Sequence, residues 1–273
     1  MSAAAPSVLI SLGSFGASEV RRHGQHGFAA LAADAGADGV EVRGELLIDA
    51  PTELRAIGAL ARERGLGLVY SSPEGLWSDA GRFDDAAVMR ALDAARLLGA
   101  PRLKMSIGGY PSSGTAAGET AAGFQRLARL LADSGVELVI ENDQTESAGT
   151  LRALQRFFAA ARAAGLTLGM TFDMGNWHWT GEDPLLAAEA FAAQVRYVHC
   201  KGVLLRQPQH PHQPHPWAAV PLAQSAAPWR AVLRRLPADV PRAIEFPLQG
   251  DGDALLDVTS HQVALVRSAE VQR

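Results

Sequence analysis

Thr171-Phe172-Asp173-Met174-Gly175-Asn176-Trp177 decides how the rest of the chain is read. Leu168 to Phe172 is an apolar run of strand length, Asp173 ends it on a carboxylate, and Gly175 and Asn176 then turn the chain. The layout recurs in Val136 to Glu141 followed by Asn142, in Val195 to His199 followed by Cys200 and Lys201, and in Arg242 to Glu245 followed by Phe246. Each run closes on a side chain able to ligate a metal. A parallel barrel brings four such strand ends to one rim.

Working outward, Val8 to Leu12, Asp38 to Arg43, Leu66 to Ser71 and Arg102 to Ser106 are further apolar runs of strand length. Helical stretches separate them. Phe28 to Ala35 has helical spacing and Gly36 stops it. Pro51 opens a helix with Leu54, Ile57, Leu60 and Ala61 on one face, and Gly65 ends it. Asp84 caps a helix through Val88, Leu92, Ala95 and Leu98, stopped by Gly99. Further helices are predicted over Ala116–Asp133, Thr150–Ala164, Pro184–Gln194, Pro228–Leu236 and Asp253–Arg267. Turns or loops are expected at Ser14–Gly16, Ser72–Gly75 and Gly108–Gly114. The longest irregular stretch is Gln207–Pro221, which carries His210, His212 and His215 among several prolines.

Eight strands alternating with eight helices predict an α/β chain with parallel strands. Over residues 1–273 this count indicates a single-domain (β/α)8 TIM barrel rather than an open doubly wound sheet. Neither a G-x-G-x-x-G nor a P-loop pattern is present to favour a nucleotide-binding sheet.

With 48% apolar residues the chain can bury a large core. Its net charge of −4 and lack of a basic stripe argue against a nucleic-acid partner. Cys200 is the sole cysteine, so no intrachain disulfide forms, in keeping with a cytoplasmic location. Met1 to Pro6 shows no signal-peptide pattern, and no run is long and apolar enough to span a membrane. A small-molecule substrate is the expected partner. Homo-oligomerisation is left open.

Active-site groups of such barrels sit at the C-terminal ends of the strands. Glu141, Asp173, His199 and Glu245 end strands five to eight, which are consecutive, so they share one arc of the rim. Three carboxylates crowded there repel one another unless a cation joins them. Three oxygen donors and one imidazole suit a divalent ion such as Mn²⁺, Mg²⁺, Co²⁺ or Zn²⁺.

Val139-Ile140-Glu141-Asn142, Phe172-Asp173-Met174-Gly175-Asn176, Val198-His199-Cys200-Lys201 and Ile244-Glu245, with Asp38-Gly39-Val40-Glu41 on strand two, resemble motifs of the sugar phosphate isomerase/epimerase superfamily, the xylose-isomerase-like barrels. The resemblance spans most of the chain. It implies that Glu141, Asp173, His199 and Glu245 bind one divalent metal. It implies also that Glu141 and Glu245 move a proton beside a carbonyl through a metal-stabilised enediolate. Lys201, two residues past His199 on the same side of its strand, is expected to hold a substrate oxygen. Lys104, Glu41, Asn176 and His178 are the other substrate-binding candidates, His178 because Trp177 and Trp179 flank it.

Two positions depart from relatives. Asn176 stands where several carry a histidine, and Asp143 stands where dehydroshikimate dehydratases place one. The leading expectation is therefore a metal-dependent isomerase or epimerase of a small sugar or polyhydroxy carbonyl compound. A lyase on the same scaffold, an apurinic endonuclease and a non-catalytic metal- or sugar-binding barrel are the alternatives. Both Asn176 and the charge balance count against the endonuclease. The His210–His215 loop is a candidate lid over the site.

Overall fold

Short runs that are apolar on both faces have to be covered on both sides, and this chain covers them by closing the sheet on itself. The computed structural model describes residues 5–111, 117–206 and 217–269. The strands are β1 (Val8–Ser11), β2 (Gly39–Arg43), β3 (Gly67–Trp77), β4 (Arg102–Gly108), β5 (Glu137–Glu141), β6 (Gly169–Asp173), β7 (Val195–Cys200), β8 (Gly202–Leu205), β9 (Trp217–Val220) and β10 (Arg242–Ile244). Eight of them close into a parallel barrel in the order β1-β10-β7-β6-β5-β4-β3-β2. The remaining two, β8 and β9, pair antiparallel with each other.

The helices are α1 (Ala17–His23), α2 (Gln25–Asp34), α3 (Ala50–Arg64), α4 (Asp85–Leu98), α5 (Ala117–Ala132), α6 (Leu151–Ala163), α7 (Pro184–Phe191), α8 (Trp229–Leu233) and α9 (Asp253–Ser268). Their starts follow the local chemistry. Asp84 accepts the Ala87 N–H at 2.9 Å, and Asp183 accepts the Leu185 N–H at 2.8 Å ahead of Pro184.

Strand alternation sorts the side chains between two cores. Ile10, Val40, Leu103, Ile140, Phe172, Val198 and Ile244 belong to the large cluster that includes Leu54, Ile57, Leu92, Leu154 and Phe157 of the helices. The residues on either side of these point into the barrel. Leu9, Val69, Tyr197 and Ala243 form a small separate apolar cluster there. Two residues further along the same strands come Ser11, Ser71, His199 and Glu245. The polar layer thus sits above an apolar floor at the C-terminal rim.

Several boundaries differ from the sequence reading. Strand three does not end at Ser71 with a loop over Ser72–Gly75. It continues to Trp77, with its pairing register to β4 shifting between Ser71 and Gly75. A bulge of this kind absorbs the Pro73 that breaks the sequence pattern. The segment between β1 and β2 holds a 3-10 turn over Leu12–Phe15 and the extra helix α1 before α2. The stretch expected to be irregular up to Pro221 ends in strand β9, which pairs from Gly202↔Val220 to Leu205↔Trp217. Helices α7 and α8 stop at Phe191 and Leu233, short of Gln194 and Leu236. His210, His212 and His215 lie outside the described residues. Among the described residues, no helix is long and apolar enough to cross a membrane.

Candidate metal centre

The alternation that turns Ile140, Phe172, Val198 and Ile244 outward turns Glu141, Asp173, His199 and Glu245 inward. One ligand atom from each of these four lies within 4.8 Å of all the others. His199 Nδ1 is 2.9 Å from Glu141 Oε1, 2.8 Å from Glu245 Oε2 and 3.7 Å from Asp173 Oδ2. Asp173 and His199 are fully buried.

Local chain chemistry aims Asp173. Its Oδ1 accepts the backbone N–H groups of Gly175 and Asn176 at 2.8 and 2.9 Å, so the turn after the strand locks the carboxylate. Its Oδ2 is left facing the cluster. Gly175 has to be glycine there, because a Cβ would lie 2.8 Å from Lys201 Cγ and Cδ, where the lysine passes over the turn.

Three buried atoms at the meeting point, Asp173 Oδ2, His199 Nδ1 and Glu245 Oε2, have no hydrogen-bond partner. Lys201 Nζ stands 2.7 Å from Asp173 Oδ2 and 3.0 Å from Glu245 Oε2 as an ion pair, without hydrogen-bond alignment. Converging acceptors at these separations suit a cation. Their type, three carboxylates and one imidazole, suits a divalent one of intermediate hardness. The residues present therefore fit the metal that the sequence reading implies.

Each glutamate of the cluster has a second oxygen held by a base. Lys104 Nζ donates to Glu141 Oε2, and Arg43 Nη1 donates to Glu245 Oε1 at 2.5 Å. Burial pushes the Glu141 carboxyl up, but Lys104 and His199 outweigh it and hold it at about 2. Burial acts likewise on Glu245, and His199 and Lys201 bring that carboxyl well below its ordinary value. Asp173 goes the other way. Burial raises it, Lys201 opposes this, and the neighbouring Glu245 adds to the rise.

The sequence reading puts Glu41, Lys104, Lys201, Asn176 and His178 against substrate, and the structure gives them different surroundings. A cavity of about 760 Å³ opens beside the cluster, with Ser11, Arg43, Glu45, Lys201, Glu245 and Gln249 among its walls. Of the five, only Lys201 is in that wall. Glu41 is fully buried, with Oε2 2.7 Å from His199 Nε2. Lys104 is buried beneath Glu141. Asn176 is buried and bridges its neighbours: its Oδ1 accepts from Lys201 Nζ at 2.9 Å and from Gln144 Nε2 at 3.1 Å, and its Nδ2 donates to the Asn142 carbonyl at 2.9 Å. His178 Nδ1 lies 3.0 Å from the Gly175 carbonyl, and its ring meets Trp217 edge-on at 4.9 Å. For Glu41, Lys104 and Asn176 the physical reason is the same. Their polar atoms already have partners within the protein, and none of the three lines this cavity.

Arg43 is the site residue that sequence reasoning passed over. Its guanidinium joins Glu245 to Glu45 at the cavity wall, 2.7 Å from Glu45 Oε1. The signal was available, since Arg43 follows Glu41 by two on a strand and so shares its inward face.

The family model of the xylose isomerase-like TIM barrel matches residues 29–241. No curated protein matches the chain. Among solved structures, a xylose isomerase domain-containing protein from Salmonella typhimurium superposes with a TM-score of 0.71 at 16% identity, covering 97% of this chain and 99% of that one. The E. coli 3-keto-D-glucoside 4-epimerase does so with 0.65 at 14% identity, covering 96% and 99%. A probable 3-DHS dehydratase from Bacillus anthracis gives 0.66 at 13% identity, covering 95% and 98%. At such identities these structures speak for the fold. Together with the match over most of its length, they establish that the chain belongs to the xylose isomerase-like TIM barrel family.

Proposed function

We propose that this protein is a divalent-metal-dependent isomerase or epimerase of a small sugar or polyhydroxy carbonyl compound. The observation that carries the reading is the pairing of Glu141 and Glu245. Each offers one oxygen to the common point at His199 Nδ1 and has its other oxygen held by a separate base, Lys104 or Arg43. Two ionised carboxylates on different strands can address a substrate carbon from two sides. One, ionised, removes the proton beside the carbonyl and becomes the acid; the other delivers a proton from the opposite side after first taking one from solvent.

Glu141, Asp173, His199 and Glu245 would hold the ion, which when bound supplies a Lewis acid for the carbonyl oxygen. Lys201, in the cavity wall, would donate to a second substrate oxygen by exchanging one of its present partners for it. Lys104 and His199 would keep Glu141 ionised, and His199 and Lys201 would do so for Glu245, whose other oxygen Arg43 holds. A structural neighbour named as a 3-keto-D-glucoside 4-epimerase supports this class of reaction.

Elimination of water is the competing outcome of the same proton removal. It needs an acid for the leaving hydroxyl. Asp143, two residues past Glu141, is engaged instead, accepting from Ser106 Oγ at 2.6 Å and from the Thr145 N–H at 2.7 Å. The test is a panel of ketoses and keto acids in deuterated water with added Mn²⁺ or Mg²⁺. Deuterium entering beside the carbonyl without loss of water is expected. Loss of water would make the protein a lyase, and no reaction across the panel despite tight metal binding would make it a binding protein.

A further inference from the structure

A buried carboxylate stands behind the metal-facing imidazole. Glu41, on β2, is fully buried, and its Oε2 lies 2.7 Å from His199 Nε2. Its other oxygen accepts the Ser11 hydroxyl from β1 at 3.2 Å. Lys104 Nζ and Arg43 Nη1 stand 3.9 and 3.8 Å from that same oxygen. Three strands thus hold the carboxylate, and its Oε2 meets the far side of His199.

Ionised carboxylates only accept hydrogen bonds. The hydrogen shared with Glu41 therefore sits on Nε2, and in the neutral ring that binds a metal the lone pair is on Nδ1. That atom is the one facing Glu141, Asp173 and Glu245. The Tyr197 ring packs edge-on against the imidazole, with centroids 5.2 Å apart.

We infer that Glu41 is a positioning residue: it fixes His199 with hydrogen on Nε2 and so presents Nδ1 to the ion. The inference rests on the metal-binding reading of the four ligands, and it gives Glu41 a role distinct from substrate contact. Such outer partners orient the ligand and raise its basicity.

The test uses the full chain, stripped of metal and titrated calorimetrically with Zn²⁺ or Mn²⁺, and ¹⁵N-histidine spectra of the Zn²⁺-loaded protein. In the wild type, His199 should show its hydrogen on Nε2, protected from exchange. Glu41→Asp keeps the charge but withdraws the acceptor by one methylene. It should weaken metal binding about 10–100-fold, while Glu41→Gln, which keeps an acceptor at the same reach, should stay within about threefold of the wild type. A role through charge alone predicts the reverse order. Glu41→Asp binding as tightly as the wild type, or a wild-type His199 with its hydrogen on Nδ1, would overturn the inference while leaving the metal reading in place. A wild type that binds neither ion would remove both.

Discussion

The side chain of Asn142 grips the backbone of Asp173 from both sides. Its Oδ1 accepts the Asp173 N–H at 2.8 Å and its Nδ2 donates to the Asp173 carbonyl at 3.0 Å. All of these atoms are buried, so the amide of one strand end sets the height of the ligand on the next. Replacing Asn142 by Ala leaves a backbone donor and acceptor unmet. The cost is expected at about 2–6 kcal/mol, since each of the two buried polar groups left alone costs about 1–3. Chemical denaturation measures the loss. Metal affinity should fall with it, because Asp173 loses its fixed position.

Glu141 and Glu245 carry the proposed proton transfer. Replacing either by Gln should lower kcat by about 10²–10⁴-fold, the usual size of general acid–base catalysis. Circular dichroism should change little. A Gln variant that exchanges substrate deuterium at the wild-type rate would take that residue out of the mechanism.

Arg43 links Glu245 to Glu45 at the cavity wall. Arg43→Met removes the donor that holds Glu245 Oε1 while preserving the aliphatic stem. The expected loss of stability is about 1–3 kcal/mol, in the range for hydrogen bonds to charged groups. If Arg43 acts by holding Glu245, kcat should drop more than KM rises. A change confined to KM would assign Arg43 to substrate instead.

Metal removal tests the cluster directly. A chelated sample should melt lower than one with free ion at about a hundred times its Kd, by about 2.7 kcal/mol of linkage. Differential scanning calorimetry with Mn²⁺, Mg²⁺, Co²⁺ and Zn²⁺ would also rank the ions. Equal melting in chelator and in all four would count against the site.

Cys200 supplies a pH prediction. The thiol is free and buried, and burial pushes it up to about 12, with Arg242 and His199 opposing. Its folded value therefore lies above its unfolded one. The two states bind the same proton below the unfolded value. Above it the unfolded chain releases the proton first, so stability is lost as pH rises towards the folded value. Between about pH 9 and 12 this one group should cost about 1.4 kcal/mol per pH unit. Cys200→Ala should show a shallower decline over that window. In the native wild type at neutral pH, thiol reagents should react only as fast as the protein unfolds.

What the chain determined by itself was the barrel and the four side chains that meet at its rim. Leu168 to Phe172, Val136 to Ile140 and Val195 to Val198 read as buried strands, and each is one. Period-two alternation then fixes which neighbour points inward, so Glu141, Asp173 and His199 could be named from spacing. Arg242–Ile244 is short, but Glu245 follows in the same phase. Local rules sufficed because these features depend on adjacent residues.

Only the tertiary structure decided what surrounds the ligands. Glu41 and His199 are 158 residues apart in the chain, and Arg43 and Glu245 are 202 apart. No local pattern says that β2 lies three strands from β7 around the barrel, or that only β1 separates it from β10. Closure does so, by setting strand order and stagger together. For the same reason the sequence could not show that Glu41, Lys104 and Asn176 pair with His199, Glu141 and Lys201. Likewise, the pairing of β8 with β9 was hidden because its two halves flank a Pro-rich stretch, where backbone hydrogen bonding across the gap leaves no mark on either strand's own pattern.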